Sequence, residues 1–257
     1  GTTGEAKIIP MLHGRLVQQF SRAWTGCRLT LTSPEYHFAK RGFLYAVLGG
    51  SAIAIRGSSD LPAARLCAAL GADTIVCMAA HARELVAEAG RTGRLPPGTV
   101  VQFSGSRSSA PMRRELLEHV CDGVAVTYSM QECGSIARTV ERSVGDVSES
   151  VGRPHPGIEV EIVDERGTPL PQGEIGEIRI RAPGMATGYV DDERADAMHF
   201  RGGWFHPRDL ASFSPDGSRV YFASPNEQGM VDLWQMDRAS RRAVKLTAFS
   251  RDSYGPS

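Results

Sequence analysis

Residues 99–127, TVVQFSGSRSSAPMRRELLEHVCDGVAVT, decide the fold class of this sequence. The stretch opens with a short apolar run, residues 99–104, which is typical of a buried strand. Ser109 is a good N-cap and Pro111 suits the first turn of a helix, so a helix is predicted next. The apolar residues of that helix fall on one face: Met112, Leu116, Leu117 and Val120. A second apolar run, residues 123–127, predicts another buried strand.

Strand and helix alternate in the same way upstream of this stretch. Residues 44–55 (LYAVLGGSAIAI) contain a helix end, a double-glycine turn and an apolar strand. Asp60 suits the N-cap of a further helix, and Gly71 can end that helix in the left-handed conformation. Residues 73–78 (DTIVCM) then predict the next strand. The alternation predicts an α/β fold over residues 1–150, a layered αβα arrangement with a mostly parallel sheet.

The hydrophobic spacing changes near residue 151. Residues 158–163 (IEVEIV) and 177–181 (EIRIR) alternate apolar with charged side chains, as half-exposed strands do. These patterns predict a small antiparallel β subdomain over residues 151–211. Short strands around polar turns continue to the end of the chain, and they predict a short C-terminal β-meander over residues 212–257.

Charge and cysteine content exclude several classes of protein. Lys+Arg and Asp+Glu both number 29, so the formal net charge is zero and no basic surface for nucleic acid is expected. Five scattered cysteines without CxxC spacing argue against a zinc site or a disulfide framework, and they favour reduced thiols in a cytoplasmic protein. No apolar run is long enough for an integral membrane segment. We therefore expect a small-molecule partner.

The first seven residues, GTTGEAK, form a candidate phosphate-binding loop. Glycines let a backbone fold closely round phosphate oxygens, threonine hydroxyls donate hydrogen bonds to those oxygens, and a lysine neutralises their charge. Gly/Thr loops also form ordinary turns, so this string by itself leaves both interpretations open.

Further segments of the sequence bear on the choice between a phosphate-binding loop and an ordinary turn. They are residues 103–111, 128–132 (YSMQE), 151–160 (VGRPHPGIEV), 173–177 (GEIGE), 184–189 and 203–210 (GWFHPRDL). Together with the opening loop, and in this order, they resemble the adenylate-forming (AMP-binding, acyl-CoA-synthetase-like) superfamily over residues 1–210. The family's loop motif extends further upstream, so the chain is expected to be truncated at its N-terminus and to begin inside that loop.

The resemblance implies a role for each matching residue. Phosphate binding is implied for Thr2, Thr3, Gly4 and Lys7. Adenine and ribose binding is implied for Ser104, Gly105, Ser106, Tyr128 and Asp209. Glu132 is the implied ligand of Mg²⁺, a hard cation that suits carboxylate oxygen, with Thr3 as a second candidate ligand. Lys7 and Glu132 are the implied catalytic residues.

The activity that the resemblance implies is that of an AMP-forming acid–thiol ligase. A substrate carboxylate attacks the α-phosphorus of ATP to give an acyl-adenylate and pyrophosphate, and the thiol of coenzyme A then takes the acyl group. Mg²⁺ and lysine offset the negative charge of the phosphates during the first step. The expected ligands are therefore ATP, Mg²⁺, coenzyme A and a small carboxylic acid.

The sequence departs from the family pattern at several positions. Ser129 and Met130 replace a more usual glycine and hydroxyl residue. Arg208 replaces the glycine expected before Asp209, which puts a bulky cation beside the ribose site. Nothing after Asp209 resembles the C-terminal domain that supplies the family's adenylation lysine, and Lys245 stands in a different context. A partial enzyme that binds ATP without efficient turnover is therefore expected.

The tail, residues 212–257, resembles one blade of a Tol-type β-propeller. An SPDG turn at residues 214–217, a DLW strand at 232–234 and a KLT strand at 245–247 carry this resemblance. Its exposed strand edges would favour self-association. The alternative function is then a non-catalytic chimeric protein whose tail serves binding. A simpler alternative for the SPDG sequence is a hairpin turn that continues the β subdomain.

Overall fold

A computed structural model of the chain describes residues 7–20, 24–105, 108–223, 232–236 and 243–248. The helices are α1 (His13–Phe20), α2 (His37–Gly49), α3 (Ala63–Leu70), α4 (Ala79–Thr92), α5 (Ala110–His119) and α6 (Glu193–His199). The strands before residue 160 are β1 (Cys27–Thr30), β2 (Ala52–Ile55), β3 (Thr74–Cys77), β4 (Val100–Phe103), β5 (Gly123–Met130), β6 (Gly134–Glu141), β7 (Ser150–Pro154) and β8 (Glu159–Val163). The later strands are β9 (Gly176–Arg181), β10 (Phe200–Arg201), β11 (Trp204–Phe205), β12 (Leu210–Phe213), β13 (Val220–Ala223), β14 (Asp232–Met236) and β15 (Ala243–Ala248). Within the described ranges, no helix combines the length and apolar character needed to cross a membrane.

The first five strands form a parallel sheet in the order β2-β1-β3-β4-β5. Helices α3, α4 and α5 pack side by side, against β1, β3 and β5 respectively. The predicted parallel half of the fold is therefore confirmed. The sequence patterns did not predict β1, because it has only four residues and one of them is Arg28.

Local signals placed one helix start correctly and another incorrectly. Ser109 caps α5 as predicted, since its hydroxyl accepts a hydrogen bond from the Met112 amide at 3.5 Å. Helix α3 begins at Ala63, and its N-cap is not Asp60. The Ala63 amide instead donates to Glu88 Oε2 of α4 at 2.8 Å. The predicted Asp60 cap is wrong because a carboxylate from the neighbouring helix satisfies that amide.

The core of the parallel half joins strand residues to helix residues. Its largest fully buried apolar side chains include Leu29, Ile75, Leu85, Phe103 and Leu116. Burying a side chain of this size contributes about 1.5–3 kcal/mol relative to leaving it exposed. The apolar runs that predicted β3 and β4 are therefore the same residues that hold the helices against the sheet.

The second half of the sheet is antiparallel. Strand β5 pairs with β6, and the order then continues through β7, β13, β12 and β9. Strand β9 also pairs with β8 and β11, and β11 pairs with β10. All of these pairs are antiparallel, so the change of pattern near residue 151 predicted the right kind of sheet. The predicted fold class is confirmed.

Residues 212–223 belong to this same sheet. Strands β12 and β13 form a hairpin with Phe213 opposite Val220, and β13 pairs with β7. In the turn, the Asp216 carboxylate accepts hydrogen bonds from the Ser218 amide at 3.1 Å and from its hydroxyl at 2.8 Å. This favours the alternative in which SPDG is a hairpin turn of the β subdomain. Strands β14 and β15 form a separate antiparallel pair, and the propeller-blade identity of the tail stays a prediction.

A buried ion pair ties α5 to β6. Arg113 and Glu141 are 1% and 2% exposed, and Arg113 Nη1 lies 2.6 Å from Glu141 Oε1. Arg113 Nη2 also donates to the Ser148 carbonyl, while the Ser148 amide donates to Glu141 Oε1 at 3.4 Å. Burial raises the pKa of Glu141, and the Arg113 charge opposes that rise. The pair therefore holds together α5, β6 and the segment that precedes β7.

Replacing Arg113 with methionine is expected to lower the free energy of unfolding by about 3–5 kcal/mol, because the Glu141 carboxylate is left buried without its cation. The double variant Arg113→Met/Glu141→Leu removes both charges and should recover a large part of that loss. Urea denaturation of the wild type and the two variants measures the difference. A double variant that is less stable than Arg113→Met would contradict this account of the pair.

Candidate functional site

The candidate site lies at the carboxyl ends of β4 and β5, the position where α/β sheets commonly bind ligands. Ser104 and Gly105 directly follow β4, and Tyr128 lies near the end of β5. Glu132 lies in the turn that joins β5 to β6. Four predicted site residues lie outside the described part of the chain: Thr2, Thr3, Gly4 and Ser106.

The structure brings Tyr128 and Asp209 into direct contact. The Tyr128 hydroxyl donates to Asp209 Oδ2 at 2.9 Å, although the two residues are 81 positions apart in the sequence. Burial raises the pKa of the Tyr128 phenol, and the Asp209 charge adds to that rise. Burial also raises the pKa of Asp209, while the hydrogen bond from Tyr128 opposes that rise. A neutral phenol therefore occupies an oxygen of Asp209 that could accept a ligand hydroxyl instead.

Glu132 and Tyr189 form a second pair of this kind. The Tyr189 hydroxyl donates to Glu132 Oε1 at 2.8 Å. Burial and then this hydrogen bond raise the pKa of the Tyr189 phenol. The Glu132 carbonyl accepts from the Ala186 amide at 2.8 Å, so the segment after β9 holds both the backbone and the side chain of Glu132. In the described ranges, no cluster of three or more His, Cys, Asp or Glu side chains is arranged to hold a metal ion.

Lys7 is the one residue of the opening loop that the structure describes. Its Nζ lies 5.0 Å from the centre of the Tyr189 ring and 3.1 Å from His199 Nε2. Tyr189 thus contacts Lys7 through its ring and Glu132 through its hydroxyl. The two residues predicted to be catalytic therefore share a partner.

The chain around Lys7 is also held to the segment that contains Tyr189. The Val190 amide donates to the Ile8 carbonyl at 2.8 Å. From α1, Arg15 Nη1 donates to the Met185 carbonyl at 3.2 Å and to Thr187 Oγ1 at 2.9 Å. The beginning of the described chain is therefore anchored beside the β5–β6 turn by contacts to one short segment.

Gly105 is a position that requires glycine for two reasons. Its φ is +76°, in the left-handed region that L side chains rarely adopt. A Cβ atom there would also lie 3.1 Å from the Phe38 ring of α2. Ser104 beside it is buried, and its amide donates to the Cys77 carbonyl at 3.2 Å. The structure thus fixes the backbone at the end of β4 against both β3 and α2.

Arg208 occupies a backbone conformation that favours glycine. Its φ is +68°, and among the described residues only Asp191 also combines a side chain with a positive φ. An L residue in this region costs roughly 1–2 kcal/mol. The Arg208 side chain is exposed, and its Nη1 lies 3.4 Å from Met198 Sδ on α6. The cation expected beside Asp209 is therefore directed onto α6.

A separate cleft of about 400 Å³ lies on the antiparallel half of the sheet. Its lining includes Trp204, His206, Glu177, Arg179 and Arg201. These charged groups are engaged within the protein: Arg179 pairs with Glu161, and both Arg201 and His206 pair with Glu177. The cleft contains none of the predicted site residues, so its size alone does not make it the functional site.

Comparison with known proteins identifies the family. The model of the AMP-binding enzyme family matches residues 1–190 of the chain. The chain belongs to this family. Enterobactin synthase component E of Escherichia coli (strain K12) is 26% identical over 236 residues, which covers 84% of this chain and 43% of that protein. Feruloyl-CoA synthase of Amycolatopsis sp. is 27% identical over 237 residues, which covers 84% of this chain and 46% of that protein.

Solved structures of related enzymes share the fold. O-succinylbenzoate coenzyme A synthetase from Bacillus subtilis, in complex with AMP, matches with a TM-score of 0.75 and 19% identity, covering 90% of this chain and 48% of that one. The N-terminal subdomain of NpsA from Klebsiella oxytoca, in complex with 3-hydroxybenzoyl-AMSN, matches with a TM-score of 0.71 and 20% identity, covering 86% and 61%. The chain spans less than half the length of the two curated relatives.

Two contributors to this candidate site were missed in the sequence. Tyr189 is the last residue of segment 184–189, which carried part of the family resemblance. The sequence therefore pointed to this position, but the resemblance implied no role for the tyrosine. His199 carried no signal, because its contact with Lys7 joins residues 192 positions apart. The residues found by motif order and those found only by folding therefore lie in contact within one candidate site.

Replacing Gly105 with alanine is expected to destabilise the protein more than replacing Gly98, whose φ is +83° and whose Cβ would meet open space. The Gly98 variant should lose about 1–2 kcal/mol from backbone strain alone. The Gly105 variant should lose at least about 1 kcal/mol more, because its Cβ crowds the Phe38 ring. Urea denaturation compares the two, and equal losses would show that the Phe38 contact is easily relieved.

Replacing Arg208 with glycine is expected to raise the free energy of unfolding by about 0.5–1 kcal/mol, because relief of left-handed strain exceeds the entropy that glycine adds to the unfolded chain. Arg208→Ala is the matched control, since it removes the side chain and keeps the strain. Thermal or urea denaturation measures both variants. A gain in Arg208→Ala as large as that in Arg208→Gly would place the effect in the guanidinium and contradict the backbone explanation.

Proposed function

We propose that this chain is part of an AMP-forming acid–thiol ligase that activates a small carboxylic acid with ATP and transfers the acyl group to coenzyme A. The observation that carries the proposal is the β5–β6 hairpin. Tyr128 near its end contacts Asp209, and Glu132 in its turn contacts Tyr189. Lys7 contacts the same Tyr189. The β5–β6 hairpin thus brings together the Asp209 carboxylate, which accepts a hydroxyl, the Glu132 carboxylate and the Lys7 ammonium.

Asp209 and Tyr128 would bind the nucleoside. In the proposed complex the ribose hydroxyls donate to Asp209 in place of the Tyr128 hydroxyl, and the Tyr128 ring stacks on adenine. Ser104, Gly105 and Ser106 would border the base. The positive φ of Gly105 supports this assignment through the turn that it allows directly after β4, at the carboxyl end of the parallel sheet.

Lys7 and Glu132 would act on the phosphates. Thr2, Thr3 and Gly4 would donate to the β- and γ-phosphates beside Lys7. Glu132 would be a ligand of Mg²⁺, with Thr3 as a further candidate. One carboxylate fits this ion, because Mg²⁺ is commonly held by one or two carboxylates together with substrate phosphates and water. When bound, Mg²⁺ would offset charge on the phosphate oxygens.

The proposed reaction has two balanced steps. An oxygen of the substrate carboxylate forms a bond to the α-phosphorus, and the bond from that phosphorus to the pyrophosphate oxygen breaks. The coenzyme A sulfur then forms a bond to the acyl carbon, the bond to AMP breaks, and the thiol proton passes to solvent. Lys7 would offset negative charge on the phosphates during the first step.

The proposed organisation keeps residues 1–150 as the αβ part, 151–211 as the β subdomain and 212–257 as the tail. The first part of the tail, up to residue 223, continues the sheet of the β subdomain. Residues 210–257 carry no resemblance to the family's lysine-bearing domain, so a polypeptide of these 257 residues is expected to bind ATP without efficient turnover. Cytoplasmic location and self-association through exposed strand edges remain parts of this proposal.

Replacing Glu132 with alanine is expected to weaken ATP binding at least about tenfold in the presence of Mg²⁺, because a charged ligand of the ion is lost. Isothermal titration calorimetry with MgATP measures the change, and ATP–pyrophosphate exchange with a panel of carboxylic acids tests for activation. Glu84→Ala, which removes an exposed carboxylate on α4, is the matched control and should leave affinity unchanged.

A wild-type chain that binds no ATP in the presence of Mg²⁺ would overturn the proposed function. Equal losses in Glu132→Ala and Glu84→Ala would overturn the role of Glu132. Binding that survives in wild type and fails in Glu132→Ala also argues against the alternative of a non-catalytic chimera, since that alternative requires no nucleotide site.

A further inference from the structure

His199 lies next to the candidate phosphate site, where it contacts Lys7. It is the last residue of α6. Its ring packs edge-on to Tyr189, with centroids 5.9 Å apart, and is stacked on Phe205 with centroids 6.0 Å apart. The His199 carbonyl accepts from the His206 amide at 2.7 Å. The imidazole is therefore fixed in position by aromatic packing and by a backbone contact.

One ring nitrogen of His199 faces a hydrogen-bond acceptor and the other faces a hydrogen-bond donor. Nδ1 lies 2.7 Å from the His206 carbonyl oxygen, which can only accept a hydrogen bond, so Nδ1 carries the hydrogen. Nε2 lies 3.1 Å from Lys7 Nζ, and an ammonium group can only donate, so Nε2 carries no hydrogen. Both contacts are satisfied by a single form of the side chain, the neutral imidazole protonated at Nδ1.

We propose that His199 is a positioning residue that orients the Lys7 ammonium toward the phosphates of the nucleotide. This inference rests on the proposed function. His199 Nε2 accepts one N–H of Lys7, and the Tyr189 ring supports the same ammonium from 5.0 Å. The backbone next to Lys7 is held separately, since the Val190 amide donates to the Ile8 carbonyl. The remaining N–H groups of Lys7 are directed by these contacts and serve the phosphates.

A neutral acceptor suits this task better than an acidic one. A carboxylate in place of His199 would orient Lys7 equally well, but it would also cancel the positive charge that the phosphates require. The imidazole takes one hydrogen bond and leaves the charge of Lys7 intact. The hydrogen bond from Nδ1 to the His206 carbonyl keeps the accepting nitrogen facing Lys7.

The same tyrosine connects this arrangement to Glu132. The Tyr189 ring contacts both Lys7 and His199, while its hydroxyl donates to Glu132. The lysine and the proposed Mg²⁺ ligand are therefore placed relative to each other by one rigid ring. His199 completes the placement by holding the ammonium on one side of that ring.

The test compares the affinities of ATP and AMP, each with Mg²⁺, by calorimetry. His199→Phe keeps the ring packing and loses the acceptor, so ATP affinity should fall about 5- to 10-fold while AMP affinity changes less than about twofold, because AMP lacks the phosphates that Lys7 would bind. His199→Gln keeps an acceptor oxygen and should stay within about threefold of wild type for ATP. Lys7→Met also removes the charge, so it should lose at least as much ATP affinity as His199→Phe, and the double variant should lose little more than Lys7→Met.

The matched control is His119→Phe, which replaces an exposed histidine at the end of α5. It should leave both affinities unchanged. Equal losses of ATP and AMP affinity in His199→Phe would overturn the proposal, because they would show that His199 only supports the fold. Full additivity of His199→Phe and Lys7→Met would also overturn it, since independent residues do not act through one another.

A second readout needs no nucleotide. Nitrogen-15 NMR of the chain with labelled histidine rings should show a hydrogen on Nδ1 of His199 and none on Nε2. Lys7→Met should shift the Nε2 resonance. A His199 ring protonated at Nε2 would overturn the proposal whatever the binding data show. If the wild-type chain binds neither nucleotide, the proposed function fails, and this NMR result alone then decides whether His199 holds Lys7.

Discussion

Strand β5 belongs to two different ladders, and the rest of the structure depends on this double pairing. It pairs in parallel with β4 along one edge and antiparallel with β6 along the other. The helices packed on the parallel half are therefore connected to the antiparallel half through continuous hydrogen bonding. The buried pair of Arg113 and Glu141 secures the junction, because it fixes α5 to the far end of β6. Tyr128 and Glu132 gain fixed positions at the other end of the same hairpin.

Much of the fold could be predicted because its signals are local. Apolar runs and helix caps lie within a few residues of one another, which is why the alternation around residues 99–127 predicted the parallel half. The place of residues 212–223 in the sheet could not be predicted in this way. It depends on the pairing of β13 with β7, in which the Ser150 hydroxyl donates to the Val220 carbonyl across 70 residues. The cap of α3 was mispredicted for the same reason, since Glu88 comes from another helix.

The candidate site likewise combines residues that short motifs identify with contacts that only the fold creates. Motif order picked out Tyr128, Glu132 and Asp209, because each stands in a short segment that resembles the family. The hydrogen bonds among site residues were not predictable, since each depends on how distant segments pack: Tyr128 with Asp209, and Glu132 with Tyr189. His199 shows the limit most clearly. Nothing in the sequence distinguishes this histidine at a helix end, and only the fold brings Lys7 to its ring.

The contact between Tyr128 and Asp209 has a consequence for the energetics of binding. The Asp209 carboxylate accepts a hydrogen bond from a hydroxyl of the protein itself, that of Tyr128. The ribose hydroxyl that replaces the Tyr128 hydroxyl exchanges one donor for another, so this hydroxyl adds no hydrogen bond to the carboxylate. The net gain from such an exchange is small compared with a bond formed at a vacant acceptor. In the proposed enzyme, the carboxylate therefore serves mainly to distinguish a ribose from sugars that lack the hydroxyl, while stacking and phosphate contacts supply the affinity.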